Sequence, residues 1–412
     1  MRVCRLFNRI LKLVGASVCS VEFTDQGLIL GLRRRRNRML ICPWGEKTRA
    51  SYDHSRRRWR HLNFAATRVF LEAEVYRLDC RHCGLVRTEQ VPWARPGARL
   101  TRDFEDVVGW LAQRADKTTV ARLLGCAWET IDRVAKRLVH EHLDDARLDN
   151  LYRIGVDEIS YKRGHKYITV VADHDTGRVV WMSLDRNKAA LEDFFDALGE
   201  QRTAALQVVT MDGSPAYRPA VQERASHAVI CLDPFHIIKW CNEALYEFYK
   251  AQPAPPPEWK PNGHPTNRSW RRLKTAVLTG VENLKADQRA LLNSVRRHNY
   301  RLYRAWELKE QLRGLYRGVD PVDAPRYLKR WCISALRSKI RAFGILARRL
   351  QKHFNAVIAP VQLGLSNSRL EGINSKIRVI QRRGYGHPTP ESLMTMVYLC
   401  LSGINIPLPT QR

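Results

Sequence analysis

Between Tyr152 and Leu232 the apolar residues fall in short, nearly unbroken runs. They are Ile154-Gly-Val-Asp157, Tyr167-Ile-Thr-Val-Val-Ala-Asp173, Arg178-Val-Val-Trp-Met-Ser-Leu184, Leu206-Gln-Val-Val-Thr-Met-Asp212 and His227-Ala-Val-Ile-Cys-Leu232. Runs of this length, bounded by turn residues, predict strands of a buried sheet. Asp175-Thr-Gly177 predicts a hairpin turn between the second and third. After the third run the period lengthens, with Leu191, Phe194, Phe195 and Leu198 on one helical face, and Pro215–Arg224 reads as a second helix. Three strands joined by hairpins, then helix, strand, helix, strand, make a mixed α/β sheet with helices on its faces.

The flanks have other textures. Residues 1–98 carry short β-forming runs at Leu28–Leu32, Arg68–Val75 and Gly84–Val86, and form a β-rich basic module. Pro92-Trp-Ala-Arg-Pro-Gly97 opposes helix and sheet and reads as a linker into a helical stretch, residues 99–150. The α/β part runs over 151–251 and is broken by Gln252-Pro-Ala-Pro-Pro-Pro257. Trp270–Phe354 then shows only helical periodicity, so 252–358 reads as a Pro-rich linker and all-helical insertion. Helices around Arg369–Ile380 and Glu391–Leu401 complete the α/β part over 359–412.

Charge changes the picture most: 70 Lys+Arg against 41 Asp+Glu gives +29. A folded chain so basic calls for a polyanion, nucleic acid before others, against the plainer reading of a solvated basic surface. No run approaches the roughly 18 apolar residues of a membrane span. Lys12 interrupts the apolar patch Leu11–Val18, which reads against a signal peptide. The ten cysteines form no disulfide framework and fit a reducing cytoplasm; only Cys80-Arg-His-Cys83 has ligand-like spacing.

Residues 117–139 predict two short helices meeting at Gly125, a helix-turn-helix. Its second helix would offer Trp128, Glu129, Thr130, Arg133, Lys136 and Arg137 to DNA. The runs Arg33, Arg34, Arg35, Arg36 and Arg56-Arg-Arg-Trp-Arg60 suit phosphate contacts, or simply a solvated face. Asp157 lies inside an apolar strand, where a carboxylate is costly unless paired or bound to metal. Asp212 opens a turn and, alone, reads as a strand-end cap. Glu371 shares a helical face with Asn374, Ser375 and Arg378, opposite the stripe Leu370, Ile373, Ile377. Lys376 and Arg378 make that helix suited to a phosphate backbone.

Four blocks carry a resemblance. Gly155-Val-Asp157-Glu-Ile-Ser, Met211-Asp212-Gly-Ser-Pro-Ala-Tyr217, Leu232-Asp233-Pro-Phe-His236 and Asn367-Ser-Arg-Leu-Glu371-Gly-Ile-Asn-Ser-Lys-Ile-Arg378 occur in that order. Together they resemble the DDE transposases of bacterial insertion sequences, the ISL-three family in particular, over essentially the whole chain. The resemblance implies a ribonuclease-H-like catalytic core in which Asp157, Asp212 and Glu371 are the acids that hold two Mg²⁺ or Mn²⁺ ions. Hard oxygen ligands suit these ions, and phosphodiester chemistry of this type needs no Ser-His or Cys-His base. His236 would support the acids or touch DNA; the plainer reading is a helix-start Asp233 beside a core-edge histidine. There is no Gly-rich phosphate loop and no sign of nucleotide hydrolysis.

The same resemblance implies an N-terminal zinc module. Cys42, Cys80 and Cys83 are its candidate ligands, but Cys42-Pro-Trp-Gly45 has glycine where a second thiolate would stand. Structural zinc takes four ligands, and His54, His61 and His82 are nearby without the expected spacing. The implied partners are double-stranded DNA, as element terminal inverted repeats and target, and further copies of the chain on that DNA, in the bacterial cytoplasm at the nucleoid. The alternative is a catalytically inactive or domesticated sequence-specific DNA-binding protein, which Gly45 favours and the three acids oppose. An RNA-binding basic protein would not need those acids in this order.

Overall fold

A computed structural model describes residues 3–35, 38–162, 164, 166–213, 216–253, 255–256, 258–261, 266–365, 368–384 and 386–411. By its contacts the chain divides into two units, Met1–Asp144 with Val379–Arg412, and Asp145–Arg378.

The first unit opens with α1 (Val3–Leu11), β1 (Ala16–Thr24), β2 (Gly27–Arg34), β3 (Leu40–Ile41), β4 (Lys47–Thr48), β5 (Asp53–Phe64), β6 (Thr67–Cys80) and β7 (Leu85–Thr88). One sheet has the order β1-β2-β6-β5, with β7 also on β6, and β3-β4 form a separate ladder. Period-two burial of Val69, Leu71, Ala73 and Val75 on β6 packs that face against Leu28, Leu30 and Trp59. The arginine run of β5 hides its strand character, because only Trp59 and His61 are buried there. Arg56 and Arg58 both ion-pair with Glu72 on β6, at 2.9 Å each.

Pro92–Gly97 is irregular, as its prolines require, yet it is not a free tether. Arg95 is 4% exposed and pairs with the buried Glu105 (3.3 Å) and Asp106 (2.7 Å) and with Glu141. Glu105 and Asp106 lie on α2 (Arg102–Ala112), followed by α3 (Lys117–Leu124) and α4 (Trp128–His142), where Glu141 sits. Asp116 caps α3 through the Thr119 amide at 2.9 Å. Gly125 then turns the chain at φ 61°, a left-handed conformation that favours glycine.

The second unit holds β8 (Arg153–Lys162), β9 (Lys166–Asp173), β10 (Val179–Leu184), α5 (Lys188–Leu198), α6 (Glu200–Ala204), β11 (Val208–Met211), α7 (Arg218–Arg224), β12 (Val229–Leu232) and α8 (Pro234–Lys250). The strand order is β10-β9-β8-β11-β12. The first three pair antiparallel, and β11 lies parallel to both β8 and β12. This is the mixed sheet expected from the apolar runs. Ile154, Val156, Val209 and Met211 pack in one core with Leu191, Phe194, Phe195, Val221 and Ile237.

Helices α9 (Thr266–Leu278), α10 (Ala286–His298), α11 (Tyr300–Gly314), α12 (Ala324–Arg337), α13 (Arg341–Lys352) and α14 (Phe354–Gln362) follow, with no strand among the described residues. Lys309 of α11 is fully buried, donating to the carbonyls of Val277 and Thr279 at 2.7 Å each, beside Glu310 at 2.6 Å. Then come α15 (Ser368–Arg383) and α16 (Pro390–Leu401). Although 359–412 was expected to complete the α/β part, the contacts of Val379–Arg412 lie with the first unit. The reason is packing of α16 against α4: Asp132 accepts from Lys117 at 2.6 Å and from Ser392 at 2.8 Å.

Candidate active site and metal centre

Parallel register aligns the acids. Val156 on β8 faces Met211 on β11, and Met211 faces Leu232 on β12. The next residues, Asp157, Asp212 and Asp233, therefore stand level across three neighbouring strands, the last two just past their strand ends, at a sheet spacing of about 4.8 Å. Asp212 and Asp233 are 8% and 4% exposed, and Asp157 is half-buried. Burial is the main force raising the Asp157 carboxyl above its ordinary range, and the charge on Asp212 adds to it. Asp233 caps α8 through the Phe235 amide and meets His236 Nδ1, both at 2.9 Å. That hydrogen bond raises the His236 pKa, with Asp212 and Asp157 contributing in the same direction. His236 thus sits in the field of three carboxylates, beside the Asp233 that starts its helix.

The helix bearing Glu371 is clamped to β8. A Cβ on Gly155 would lie 2.4 Å from Leu370, so glycine is what lets α15 approach the strand. Asn374 donates to Asp157 Oδ2, and Arg369 donates to the carbonyls of His174 (2.8 Å) and Asp175. Glu371, one turn before Asn374, is exposed and lines a 410 Å³ cleft with Asp233, Phe235 and Tyr316. Asp212 lines another, of 450 Å³, walled by Arg218, Trp240, Arg349 and Lys352. Among the described residues, no three of these carboxylates bring ligand atoms within 4.8 Å of one another. Asp157 and Asp212 are thus brought side by side; Glu371 comes to the same sheet end on a different element.

Glu158, not among the expected site residues, stands in the field of Asp212 and Asp157. It ion-pairs with Arg186 at 2.7 Å, while its other oxygen is buried without a hydrogen bond. Burial, then the charge of Asp212, pushes its carboxyl up to about 7. Its position directly after Asp157 in an apolar strand was the available signal.

On the helix-turn-helix, Trp128, Glu129, Arg133 and Lys136 are exposed, whereas Thr130 is half-buried and accepts from Arg133 at 3.2 Å. Lys136 also pairs with Asp132 at 3.1 Å. Arg137 is drawn inward onto the buried Glu105, which ties it to helix packing instead of the open face. Arg33 and Arg35 are exposed, Arg34 pairs with Glu89, and Arg36 lies outside the described residues. Lys376 and Arg378 are exposed on α15.

Two of the three candidate thiols converge as well. Cys42 and Cys80 are fully buried in one small cluster with Leu40 and Leu78, and Cys83 packs against it. Ligand atoms of Cys42, Cys80 and Glu46 all lie within 4.8 Å of one another. No histidine joins them among the described residues: the His54 ring meets Tyr76 at a tilt, the His82 ring meets Trp44 at a tilt, and His61 hydrogen-bonds Thr101 at 2.9 Å.

Comparison with known proteins adds the lineage. A family model described as "Transposase" matches residues 154–397, one for the "Helix-turn-helix domain of transposase family ISL3" matches 89–139, and one for the "zinc-finger of transposase IS204/IS1001/IS1096/IS1165" matches 45–83. The chain is 36% identical to the transposase for insertion sequence element IS1557 of Mycobacterium tuberculosis, covering 99% of this chain and 98% of the relative. It is 26% identical to the transposase for insertion sequence element IS1001 of Bordetella parapertussis, with 89% of each chain covered. A zinc ribbon, a helix-turn-helix and a transposase domain thus follow one another along a chain that belongs to the ISL3 family of transposases.

Proposed function

We propose that this chain binds the ends of its insertion sequence and cuts and joins DNA with a ribonuclease-H-like core, Asp157, Asp212 and Glu371 being the metal-holding acids. The observation that carries the reading is the level row of acids on parallel strands, with α15 clamped to the same strand through Leu370 and Asn374. The strand order β10-β9-β8-β11-β12 supports the fold assignment. Oxygen ligands of this kind favour Mg²⁺ or Mn²⁺. Two such ions, when bound, would stabilise the attacking and leaving oxygens of an in-line displacement. Asp233 orients His236 toward the acids; Arg218, Arg349 and Lys352 give the Asp212 cleft the positive wall that a phosphate backbone requires. Trp128, Glu129, Thr130, Arg133 and Lys136 read the element's ends, Arg33, Arg34, Arg35, Lys376 and Arg378 hold phosphates, and further copies assemble on the DNA. Cys42, Cys80 and Cys83 hold zinc.

A paired nicking and gel-shift assay on wild type and Asp157→Asn, with Mg²⁺ and the element's own ends, tests this. The substitution keeps size while removing charge, so nicking is expected to disappear with end binding retained. Equal nicking by both proteins would remove Asp157 from the mechanism. Binding without nicking by either would favour a non-catalytic DNA-binding protein.

A further inference from the structure

The zinc module lacks its fourth cysteine, and the turns around the three that remain point to the replacement. Cys80 ends β6, and the chain reverses through Arg81, His82 and Cys83 to Gly84, whose amide donates to the Cys80 carbonyl at 2.8 Å. Gly84 takes the left-handed conformation at φ 66°, four places after Cys80, so Cys83 precedes the kink. The opposite turn follows β3. Cys42 is closed by Gly45, whose amide donates to the Cys42 carbonyl at 3.0 Å, and there the left-handed residue, at φ 85°, comes only three places on. This second turn kinks one residue sooner. A cysteine at 45 would carry its Cβ in a backbone conformation that side chains disfavour. The first residue beyond the kink that can carry a ligand is Glu46.

Glu46 is in place for it. Its carboxylate lies 3.6 Å from Cys80 Sγ and accepts from the His82 amide at 3.2 Å. With Cys42 and Cys80 it forms the only group of three potential ligands whose atoms lie within 4.8 Å of one another among the described residues. Backbone amides of Trp44 and Glu46 both point at Cys42 Sγ, at 3.3 Å each. Cys80 packs with Cys42 in one buried cluster, against which Cys83 lies. No histidine nitrogen joins this group among the described residues, and His61 is hydrogen-bonded to Thr101, so Glu46 is the ligand at hand.

We propose that Cys42, Glu46, Cys80 and Cys83 form one tetrahedral zinc site in which the Glu46 carboxylate takes the place of the missing cysteine. The proposal rests on the reading that the three cysteines hold zinc. Three thiolates and a carboxylate carry the same formal charge as four thiolates, so zinc is neutralised equally well, and Zn–O at about 2.0–2.2 Å against Zn–S at about 2.3 Å suits the longer glutamate side chain.

The test uses the full-length chain, purified with zinc, as wild type, Glu46→Ala and Glu46→Cys. Metal content, competition against a chromophoric chelator and X-ray absorption at the zinc edge are the readouts, with far-UV circular dichroism to check folding. One zinc per chain with three sulfurs and one oxygen is expected for wild type. Glu46→Ala should bind zinc at least about tenfold more weakly, since even residues outside the ligand set commonly cost that much. Glu46→Cys should restore tight binding with four sulfurs. Wild-type affinity in Glu46→Ala, a fourth sulfur or an imidazole in the wild-type spectrum, or zinc bound by Glu46→Cys but not by wild type would each overturn the role of Glu46 while leaving the three cysteines as ligands. Absence of zinc from all three proteins would overturn the zinc reading itself.

Discussion

Gly155 is among the most constrained residues of the proposed catalytic centre. Leu370 is 3% exposed and occupies the space a Cβ would need, so it has no solvent to retreat into. Gly155→Ala must push α15 off β8 or displace Leu370. Overpacking of this kind costs about 1–3 kcal/mol. The variant should therefore melt earlier, and it should nick DNA far more slowly than its lost stability explains, because Asn374 and Glu371 move with the helix. Unchanged nicking would show that the seating of α15 is not what readies the site. Asp157 stands out in the sequence as an acid in an apolar strand, but nothing near Gly155 in the chain shows that Leu370 fills the space beside it.

Elements are held to one another by buried charge at two points of the first unit. Arg95 neutralises Glu105 and Asp106, all three nearly inaccessible. Removing one partner of such a network leaves charge stranded in a poor solvent, at a cost of about 3–5 kcal/mol. Arg95→Met is expected to lower stability by that amount in urea unfolding followed by circular dichroism; a loss below about 1 kcal/mol would mean that the network is replaceable. The second point is Asp132 between α3, α4 and α16. Burial works to raise its pKa, but hydrogen bonds from Lys117 and Ser392 win and hold it at about 2, below the ordinary 3.8. The folded-state pKa is depressed, so this stabilisation is complete above about pH 4 and is lost as pH falls toward 2. Asp132→Asn should flatten that acid limb of the melting curve; identical acid limbs for variant and wild type would contradict it. Proline content marked Pro92–Gly97 as irregular, and did so correctly, but periodicity carries no record of where a single arginine is neutralised.

At the scale of the whole molecule, the +29 balance governs how the chain meets DNA. Each phosphate neutralised contributes about −0.9 to the slope of log K against log salt. Binding to the element's ends should weaken steeply between low and moderate salt, and a slope near zero in fluorescence-anisotropy titrations would refute the electrostatic account. Neutralising Arg33 and Arg35 together should weaken all sequences alike, whereas Arg133→Ala should erode preference for the element's ends. Strands of the α/β sheet, the helical stretch after Gln252 and the helix-turn-helix were legible because each buries a face, and burial writes its period into consecutive residues. The strand β5 was not, because its exposed arginines outnumber the two residues it buries. The four motif blocks carried the family, since chemistry demands particular residue types at particular places. Tertiary structure alone decided three other matters: that Val379–Arg412 packs with the first unit, that Arg137 turns inward to Glu105, and that Glu46 lies beside Cys42 and Cys80. Each depends on contacts between residues distant in the chain, or on one turn kinking a residue early, and neither leaves a periodic trace in the order of amino acids.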